Sequence, residues 1–351
     1  MYDSDQINLK FPELGNSLGK ETLAALPTPV RTFDLDHNNC VDSISVKCDN
    51  LTGTLYGGNK VRKLEYALWP ARARHRKRIA TFGAIGSNHA LATALYARSL
   101  GYDCICFLSH QSHTPGIRQV LAAHFSVGTK IVRYGGAYKK RLAILRKHLW
   151  NTDCWLIPAG GSSWLGTIGF VNAGLELAAQ IRNGEIEEPQ RIYIATGTMG
   201  SAIGLAIGLT LDGISCRVEA IRVSPTTISN DVLLRRLAAK TILMMRRLDP
   251  SVPADLENSL NIRMRHEFFA DGYGRSNTET DAAIAVASKQ MGLKLESTYT
   301  GKAMAALLRD RPQCKNESVL FWNTYNSADL PVAPDSKDYL DSLPDEFERY
   351  L

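Results

Sequence analysis

Segments typical of β-strands and of α-helices alternate along this chain from about residue 55 to its end. RIATFGA (78–84) reads as a strand, and SNHALATALYARSLG (87–101) follows it as a helix. Ser87 suits the N-cap of that helix and Gly101 suits its end. Strands separated by helices pair in parallel, so the alternation predicts an α/β fold in which helices cover both faces of parallel sheets.

The order of these segments also predicts the domains. Residues 65–165 contain a complete βαβαβα set of their own. We therefore expect a smaller α/β domain at 65–165, nested in a larger domain made of 1–64 and 166–351. The stretch 245–280 has the most loop-like composition, which predicts a connector or an active-site wall rather than part of a sheet.

Composition narrows the classes of protein. The 351 residues are 44% hydrophobic, and no apolar run approaches the roughly 20 residues that cross a bilayer. The start, MYDSDQINLKF, lacks the pattern of a secretory signal, and the seven cysteines include no CxxC pair. These features predict a cytoplasmic protein with reduced thiols. The net charge of +6 permits an anionic ligand, but the basic run ARARHRKR (71–78) has no interleaved aromatic residues, so nucleic-acid binding is not expected.

The segment YGGNKVRKLEY (56–66) places Lys60 shortly after the pair Gly57–Gly58, with Asn59 between them. A lysine after a turn is usually a solvated surface charge, and that reading stays open for this segment alone. The glycines also allow another group to approach the backbone closely, as a reactive lysine would require.

The segment IYIATGTMGSAIGLAIG (192–208) reads as a strand, a turn of small residues and a helix start. Such a turn points backbone N–H groups and the positive end of a helix at an anion. The spacing of Gly197, Gly200 and Gly204 is not G-x-G-x-x-G, although Glu219 stands where a ribose-binding acid would lie. A single phosphate therefore fits better than a dinucleotide, and a turn without a ligand is the alternative.

Two more strand ends carry glycine and hydroxyl residues, in GAIGSNHA (83–90) and PAGGSSWLG (158–166). Ligands of α/β proteins bind at the carboxyl ends of parallel strands, so these ends are expected to border one site. His110 and His113 have an HxxH spacing without further ligands, which favours a surface loop, and no metal is expected.

Five segments together resemble the pyridoxal-phosphate-dependent D-cysteine desulfhydrase and 1-aminocyclopropane-1-carboxylate deaminase family. They are YGGNKVRKLE, GAIGSNHALATA, IPAGGSSWLGTIGFVNAGLEL, DGYGRSNTE and STYTGKAMAAL, in order from about residue 25 to 325. The resemblance implies a fold-type-II enzyme, similar to the tryptophan synthase β subunit, with two three-layer domains built on parallel sheets. It also implies a pyridoxal 5'-phosphate cofactor, a small amino-acid substrate and a homodimer, although a monomer stays possible.

The resemblance assigns roles to particular residues. Lys60 is implied to bind the cofactor covalently, and we expect burial and the neighbouring cations Arg62 and Lys63 to lower its pKa. Ser87, Tyr273 and Tyr299 are implied to act on the substrate together with Lys60. The implied cofactor-binding residues are Lys60, Lys63, Asn88, Thr196, Gly197, Thr198, Met199, Gly200, Ser201 and Thr300.

Thr300 indicates the type of reaction. The resemblance places this hydroxyl beside the pyridine nitrogen, where the desulfhydrase branch has Thr and the deaminase branch has Glu. A hydroxyl cannot keep that nitrogen protonated, which favours α,β-elimination over ring opening. Deamination of another amino acid and a cofactor-binding pseudoenzyme remain alternatives, because Gly86 stands where relatives have Gln and Tyr325–Asn326 where they have Gly-Gly.

Overall fold

The computed structural model describes residues 5–37, 40–112, 116–149, 153–270, 272–314 and 316–331, together with residues 347 and 350. Its strands are β1 (Val30–His37), β2 (Cys40–Lys47), β3 (Arg78–Ala84), β4 (Asp103–Ser109), β5 (Lys130–Arg133), β6 (Cys154–Ile157), β7 (Arg191–Thr196), β8 (Arg217–Arg222), β9 (Ile262–Arg265) and β10 (Val319–Trp322). Its α-helices are α1 (Gln6–Lys10), α2 (Pro12–Ser17), α3 (Asn59–Ala73), α4 (Asn88–Ser99), α5 (Ile117–Ser126), α6 (Tyr138–Leu149), α7 (Trp164–Arg182), α8 (Gly200–Leu211), α9 (Asp231–Leu248), α10 (Thr278–Met291) and α11 (Thr300–Asp310). None of the described helices is both long enough and apolar enough to span a membrane.

The strands form two sheets, and the α/β prediction is confirmed. The larger sheet has the order β1-β2-β10-β7-β8-β9 and the smaller one β5-β4-β3-β6. All four strands of the smaller sheet run parallel. The larger sheet is mixed, because β1 pairs with β2 antiparallel while the other neighbouring strands pair in parallel.

The segment 245–280 contains a strand, so the prediction that it lies outside any sheet is wrong. Its strand β9 is the edge of the larger sheet and pairs with β8 from Val218↔Ile262 to Ile221↔Arg265. The strand has only four residues, and the loops on both sides of it dominate the composition of the segment.

All strands of the smaller sheet fall between residues 78 and 157, inside the predicted nested domain. The predicted boundary at 64 and 65, however, falls inside helix α3. We propose that the smaller sheet and its helices form the nested domain. The division at 65–165 itself stays a prediction.

Parallel strands bring several chain segments to one edge of each sheet. Loops after β7 and β10 contribute 195–199 and 324–326 to the wall of one cavity. The start of α3 contributes Asn59, Lys60 and Lys63 to the same wall, and α4 contributes Asn88. The fold therefore assembles the predicted strand ends around the lysine loop, as expected for an α/β protein.

Candidate active site

Two adjoining cavities lie at this edge of the sheets. The inner cavity measures about 510 Å³ including its opening, and the outer cavity about 1030 Å³. Their walls share six residues, namely Tyr56, Asn88, Glu296, Tyr299, Tyr325 and Asn326. A ligand in the inner cavity can therefore extend into the outer one, where the chain offers more space.

The two glycines before Lys60 are required by close backbone contacts. A Cβ on Gly57 would lie 2.1 Å from the carbonyl oxygen of Asn50, and one on Gly58 would lie 2.4 Å from that of Thr324. Gly58 also has a φ of 88°, which an L side chain rarely adopts. The loop thus enters α3 pressed against the chain after β10, and Lys60 follows in the first helical turn, in the wall of the inner cavity.

Burial lowers the pKa of Lys60 to about 8, while the nearby carboxylate of Glu296 acts in the opposite direction. The predicted lowering by burial is confirmed, but its assignment to the cations Arg62 and Lys63 is wrong. The Arg62 guanidinium forms buried ion pairs with Asp49 and Glu176, at 2.8 and 2.9 Å. Its charge is therefore compensated away from Lys60. A substantial fraction of Lys60 is neutral near physiological pH, as a nucleophilic amine must be.

The turn between β7 and α8 forms one wall of the inner cavity. Met199 has a left-handed backbone, with φ 64°, and precedes the first residue of the helix. Thr196, Gly197, Thr198, Met199 and Ser201 all line the cavity. The Asn59 side-chain amide donates to Oγ of Ser201 over 2.9 Å, which links this turn to the lysine loop. The start of α8 thus faces the space beside Lys60, a suitable place for an anion.

Polar groups converge on Gly200, which has no side chain to separate them. A Cβ on Gly200 would lie 2.8 Å from Ser162 Oγ and 3.0 Å from both Lys63 Nζ and Thr167 Oγ1. Lys63 donates to Ser162 Oγ over 2.8 Å, and that hydroxyl lies 2.7 Å from Thr198 Oγ1. Thr167 Oγ1 is buried and has no hydrogen-bond partner among the described residues. Gly200, which has no side chain, is therefore surrounded by a hydroxyl without a partner, a lysine and the start of a helix. Such a set of donors fits a phosphate group.

The charge of Lys63 depends on what this site holds. Burial and repulsion from Lys60 lower the pKa of Lys63 well below its usual range. A bound dianion would counter both effects and favour the ammonium form. His89, next to Asn88, is also held neutral, because burial and then Lys60 and Lys63 lower its pKa strongly. The site therefore gains positive charge when an anionic ligand binds, rather than holding that charge beforehand.

Ser87 and Asn88 lie at the start of α4, as predicted. Ser87 is buried, and its Oγ accepts a hydrogen bond of 3.2 Å from the Ala90 N–H, so it is the N-cap. Asn88 lines both cavities. Asn88 therefore lies in the cavity wall, whereas Ser87 caps α4 and is in neither described wall.

Tyr273 and Tyr299 meet at the outer cavity. Their hydroxyl oxygens lie 2.6 Å apart, and the rings pack edge to face with centroids 6.0 Å apart. Burial raises the pKa of Tyr273 to about 12, and burial together with Tyr273 raises that of Tyr299 well above its usual range. Both phenols are therefore protonated near neutral pH and form a continuous pair of proton donors beside the substrate space.

Thr300 occupies a different environment from Tyr299. It is fully buried at the start of α11, and neither described cavity wall includes it. Its Oγ1 accepts from the Glu296 N–H over 3.0 Å and donates to Glu296 Oε1 over 3.3 Å. The carboxylate that does line both cavities is Glu296, which also accepts from the N–H groups of 298, 299 and 300. The role of Thr300 beside a pyridine nitrogen stays a prediction.

Tyr325 and Asn326, which follow β10, line both cavities. Tyr325 lines the inner and the outer cavity and thus lies where they join. Asn326 Oδ1 accepts from the Gly57 N–H over 2.6 Å and from the Ala328 N–H over 3.0 Å. Asn326 therefore holds the lysine loop in place, and Tyr325 restricts the passage between the cavities.

Most predicted site residues come together. Those in the wall of the inner cavity are Lys60, Lys63, Asn88, Thr196, Gly197, Thr198, Met199, Ser201 and Tyr299. Sequence reasoning missed Tyr56, Asn59, Ser162, Thr167 and Glu296, although Ser162 lies in a segment chosen for its hydroxyl groups. Within the described ranges, no group of three or more His, Cys, Asp or Glu side chains is arranged to hold a metal, and His113 lies outside those ranges.

Comparison with known proteins agrees with this geometry. A D-cysteine desulfhydrase of Klebsiella pneumoniae (strain 342) is 29% identical over 307 residues, which cover 85% of this chain and 88% of that protein. A D-cysteine desulfhydrase of Yersinia pestis (strain Pestoides F) is 30% identical over 292 residues, covering 80% and 86%. The crystal structure of an ACC deaminase homologue matches with a TM-score of 0.73 at 25% identity, covering 98% of this chain and all of that one.

The family model described as pyridoxal-phosphate dependent enzyme matches residues 21–324. This range includes the lysine loop, all three strand ends predicted to border the site and the tyrosine pair. The fold-type-II prediction and the cofactor prediction are thereby confirmed. The chain belongs to the family of pyridoxal-phosphate-dependent enzymes.

Proposed function

We propose that this protein is a pyridoxal-phosphate-dependent lyase that removes a β-substituent from a small amino acid. The products are a 2-oxo acid and ammonia, with sulfide when the amino acid is cysteine. D-Cysteine desulfhydrases at 29–30% identity support this reaction class. The observation that carries the proposal is Lys60, an amine with a pKa of about 8 whose cavity wall also contains the turn at the start of α8 and Tyr299 of the phenol pair.

The described residues fit the cofactor. Its phosphate would be held at the start of α8 by the 196–201 turn, with donors from Lys63, Ser162 and Thr167. Lys60 would bind it covalently, and Asn88 would donate from the opposite wall. When bound, pyridoxal phosphate withdraws electrons from the α-carbon of the attached amino acid.

The residues of the chain then move protons. Lys60 is freed when the amino group of the substrate takes its place on the cofactor, and its neutral amine then accepts the α-proton. The bond from the β-carbon to sulfur breaks, and the electron pair leaves with the sulfur. Water then hydrolyses the remaining unsaturated amino acid to the 2-oxo acid and ammonia. Tyr299, protonated and bonded to Tyr273, is placed to donate a proton to the departing group. In this assignment Lys60 acts as a neutral amine and Tyr299 as a protonated phenol, which are the states that burial favours.

Ring-opening deamination is a second candidate, favoured by the match to an ACC deaminase homologue. Glu296 supports it to the extent that a carboxylate does line both cavities. Elimination is preferred because the desulfhydrase relatives are more similar in sequence, at 29% and 30% identity against 25% for the ACC deaminase homologue. The two reactions differ in substrate and are separated by a single set of assays.

The test is turnover by purified protein saturated with pyridoxal phosphate. D-Cysteine, L-cysteine and 1-aminocyclopropane-1-carboxylate are supplied separately, and sulfide, ammonia and 2-oxo acid are measured. We expect sulfide, ammonia and pyruvate in equal amounts from one enantiomer of cysteine, and none with Lys60→Ala. Turnover of the cyclopropane substrate alone would select deamination, and turnover of none of the three would refute the desulfhydrase assignment.

We also propose that the enzyme is a homodimer of the cytoplasm without a nucleic-acid ligand, as the family resemblance implies. Light scattering of the purified protein tests the oligomeric state. A mass near 38.7 kDa, that of one chain, would contradict the dimer.

A further inference from the structure

The described wall of the outer cavity contains no cation to meet a substrate carboxylate. The only charged side chain in its described wall is Glu296, which repels an anion. An amino acid attached beside Lys60 reaches this cavity through the wall that the two cavities share. Its carboxylate is therefore expected to meet neutral donors. Of the four amide side chains in the wall, Asn326 already donates to the Ala328 carbonyl oxygen and Gln119 is exposed, which leaves Asn88 and Gln111.

Strand register brings Gln111 next to Gly86. Strands β3 and β4 pair in parallel, with Ala84 opposite Ser109, so residues 86 and 111 both lie two positions beyond that pair. The Gly86 N–H donates to Gln111 Oε1 over 3.1 Å. A Cβ on Gly86 would lie 2.9 Å from Gln111 Nε2 and 3.1 Å from Ile117 Cγ1. The Gln111 amide thus occupies the space into which a side chain at 86 would grow.

This contact fixes the orientation of the amide. Since the backbone N–H of Gly86 requires an acceptor, Oε1 faces it and Nε2 is the free donor end. Only 7% of the Gln111 residue is exposed, and Gln111 lines the outer cavity. Its one hydrogen bond with the described residues is made by Oε1, so Nε2 is available to donate to a ligand in that cavity.

The start of α4 is a second group that can bind the carboxylate. Asn88 is the first residue of this helix and lines both cavities. The first N–H groups of a helix have no partner within it and favour an anion. The free donor of Gln111 and the start of α4 therefore lie on either side of Gly86.

We propose that Gln111 binds the α-carboxylate of the amino-acid substrate, delivering from the end of β4 an amide that Gly86 cannot supply. The inference rests on the proposed function and extends it. It makes the ligand an α-amino acid with a free carboxylate, recognised by neutral donors rather than by an arginine. Gln111 is then a specificity-determining residue of this chain.

Binding to the cofactor-loaded protein tests the proposal without requiring turnover. D- and L-alanine, which have no leaving group, and their carboxamides are titrated while the visible band of the cofactor is followed. Gln111→Glu should weaken alanine binding about 10- to 100-fold, because it replaces a donor with a negative charge. The affinity of Gln111→Glu for alaninamide should stay within about 2-fold of the wild-type affinity. Gln313→Glu makes the same change at an exposed site outside both cavities and should change neither.

A double variant that relocates the amide distinguishes loss of the amide from general damage to the site. Gly86→Gln combined with Gln111→Gly moves the amide to the neighbouring strand end and should recover most of the alanine affinity lost by Gln111→Gly. Equal affinity of Gln111→Glu and wild type for alanine would overturn the proposal. So would equal weakening of alanine and alaninamide, or failure of the relocated amide to restore binding. A wild-type protein without the visible band would instead refute the proposed function, and this inference with it.

Discussion

At the scale of residues, the site works through protonation states that burial imposes. Lys60 is partly neutral, His89 is neutral and both tyrosines are protonated, all because the cavity disfavours charge. Lys63 differs from these groups because it lies beside Gly200 together with the hydroxyl groups of Ser162 and Thr167. The cofactor phosphate is the group that would restore its charge.

The rate at which the protein without cofactor captures pyridoxal phosphate should rise with pH and be half-maximal near pH 8. The folded pKa of Lys60 is lowered to about 8, so the reactive neutral amine accumulates as pH rises through that value. An unperturbed lysine would give a midpoint near 10.4. Stopped-flow growth of the visible band measures the rate. Glu296→Gln removes the charge that raises this pKa and should move the midpoint lower, and a midpoint above 10 would contradict the account.

Gly200→Ala should weaken cofactor binding about 10- to 100-fold, since the methyl group would meet Ser162, Lys63 and Thr167 at 2.8–3.0 Å. Equilibrium dialysis against pyridoxal phosphate measures the dissociation constant. Ser162→Ala, which removes one donor without adding bulk, should cost only about 5- to 10-fold. Unchanged affinity in Gly200→Ala would place the phosphate elsewhere.

At the scale of elements, helices α7 and α8 approach until their backbones touch. A Cβ on Gly208 would lie 2.3 Å from the Val171 carbonyl oxygen, and one on Gly174 would lie 2.7 Å from that of Leu205. Ser162 and Thr167 lie at the start of α7, and the anion-facing turn is at the start of α8. The glycine contact therefore sets the distance between the two halves of the phosphate site.

Gly208→Ala should lower the free energy of unfolding by about 1–3 kcal/mol, because the helices must separate to admit a methyl group. Urea denaturation monitored by circular dichroism measures the change. Gly135→Ala is the control, since a Cβ there meets no heavy atom within 4 Å. Equal midpoints for the two variants would show that the helix contact tolerates the added volume.

The sequence predicts elements that repeat a local pattern and misses those that do not. The sequence predicts β3 at 78–84 and α4 with Ser87 as its cap, and both are confirmed. The β1–β2 hairpin was missed because no helix separates its strands, so an alternation of strands and helices gives no signal for it. Lys60 was found because its glycines are its neighbours in the chain. Gln111 and Glu296 reach the site from distant segments, through strand register and a helix start.

At the scale of the whole molecule, a buried charge network ties the lysine helix to the larger sheet. Arg62 of α3 binds Asp49, which follows β2, and Glu176 of α7. Lys47 of β2 lies 2.6 Å from Glu176, and Trp322 of β10 donates to Asp49 over 2.8 Å. Burial opposes the ionisation of Glu176, yet Arg62 and Lys47 outweigh it and lower its pKa to about 2.

Arg62→Met should destabilise the protein by about 3–5 kcal/mol, because it leaves two buried carboxylates with too few partners. Arg78→Met, which breaks the partly exposed pair with Asp153, should cost at most about 1 kcal/mol. Chemical denaturation at pH 7 compares them. The same network should lose its stabilising effect as pH falls from about 4.5 to about 2, where Glu176 becomes protonated in the folded state. Similar costs for the two variants would contradict a structural role for the network.

The central claim is that Lys60 carries the cofactor, and borohydride trapping followed by peptide mass spectrometry tests it most directly. Reduction makes the bond between a lysine and pyridoxal phosphate permanent, so the modified residue can be located by fragmentation. We expect one modified lysine, Lys60, and no modification in Lys60→Ala although Lys63 is intact. Cofactor found on Lys63, or on no lysine of protein saturated with pyridoxal phosphate, would contradict it.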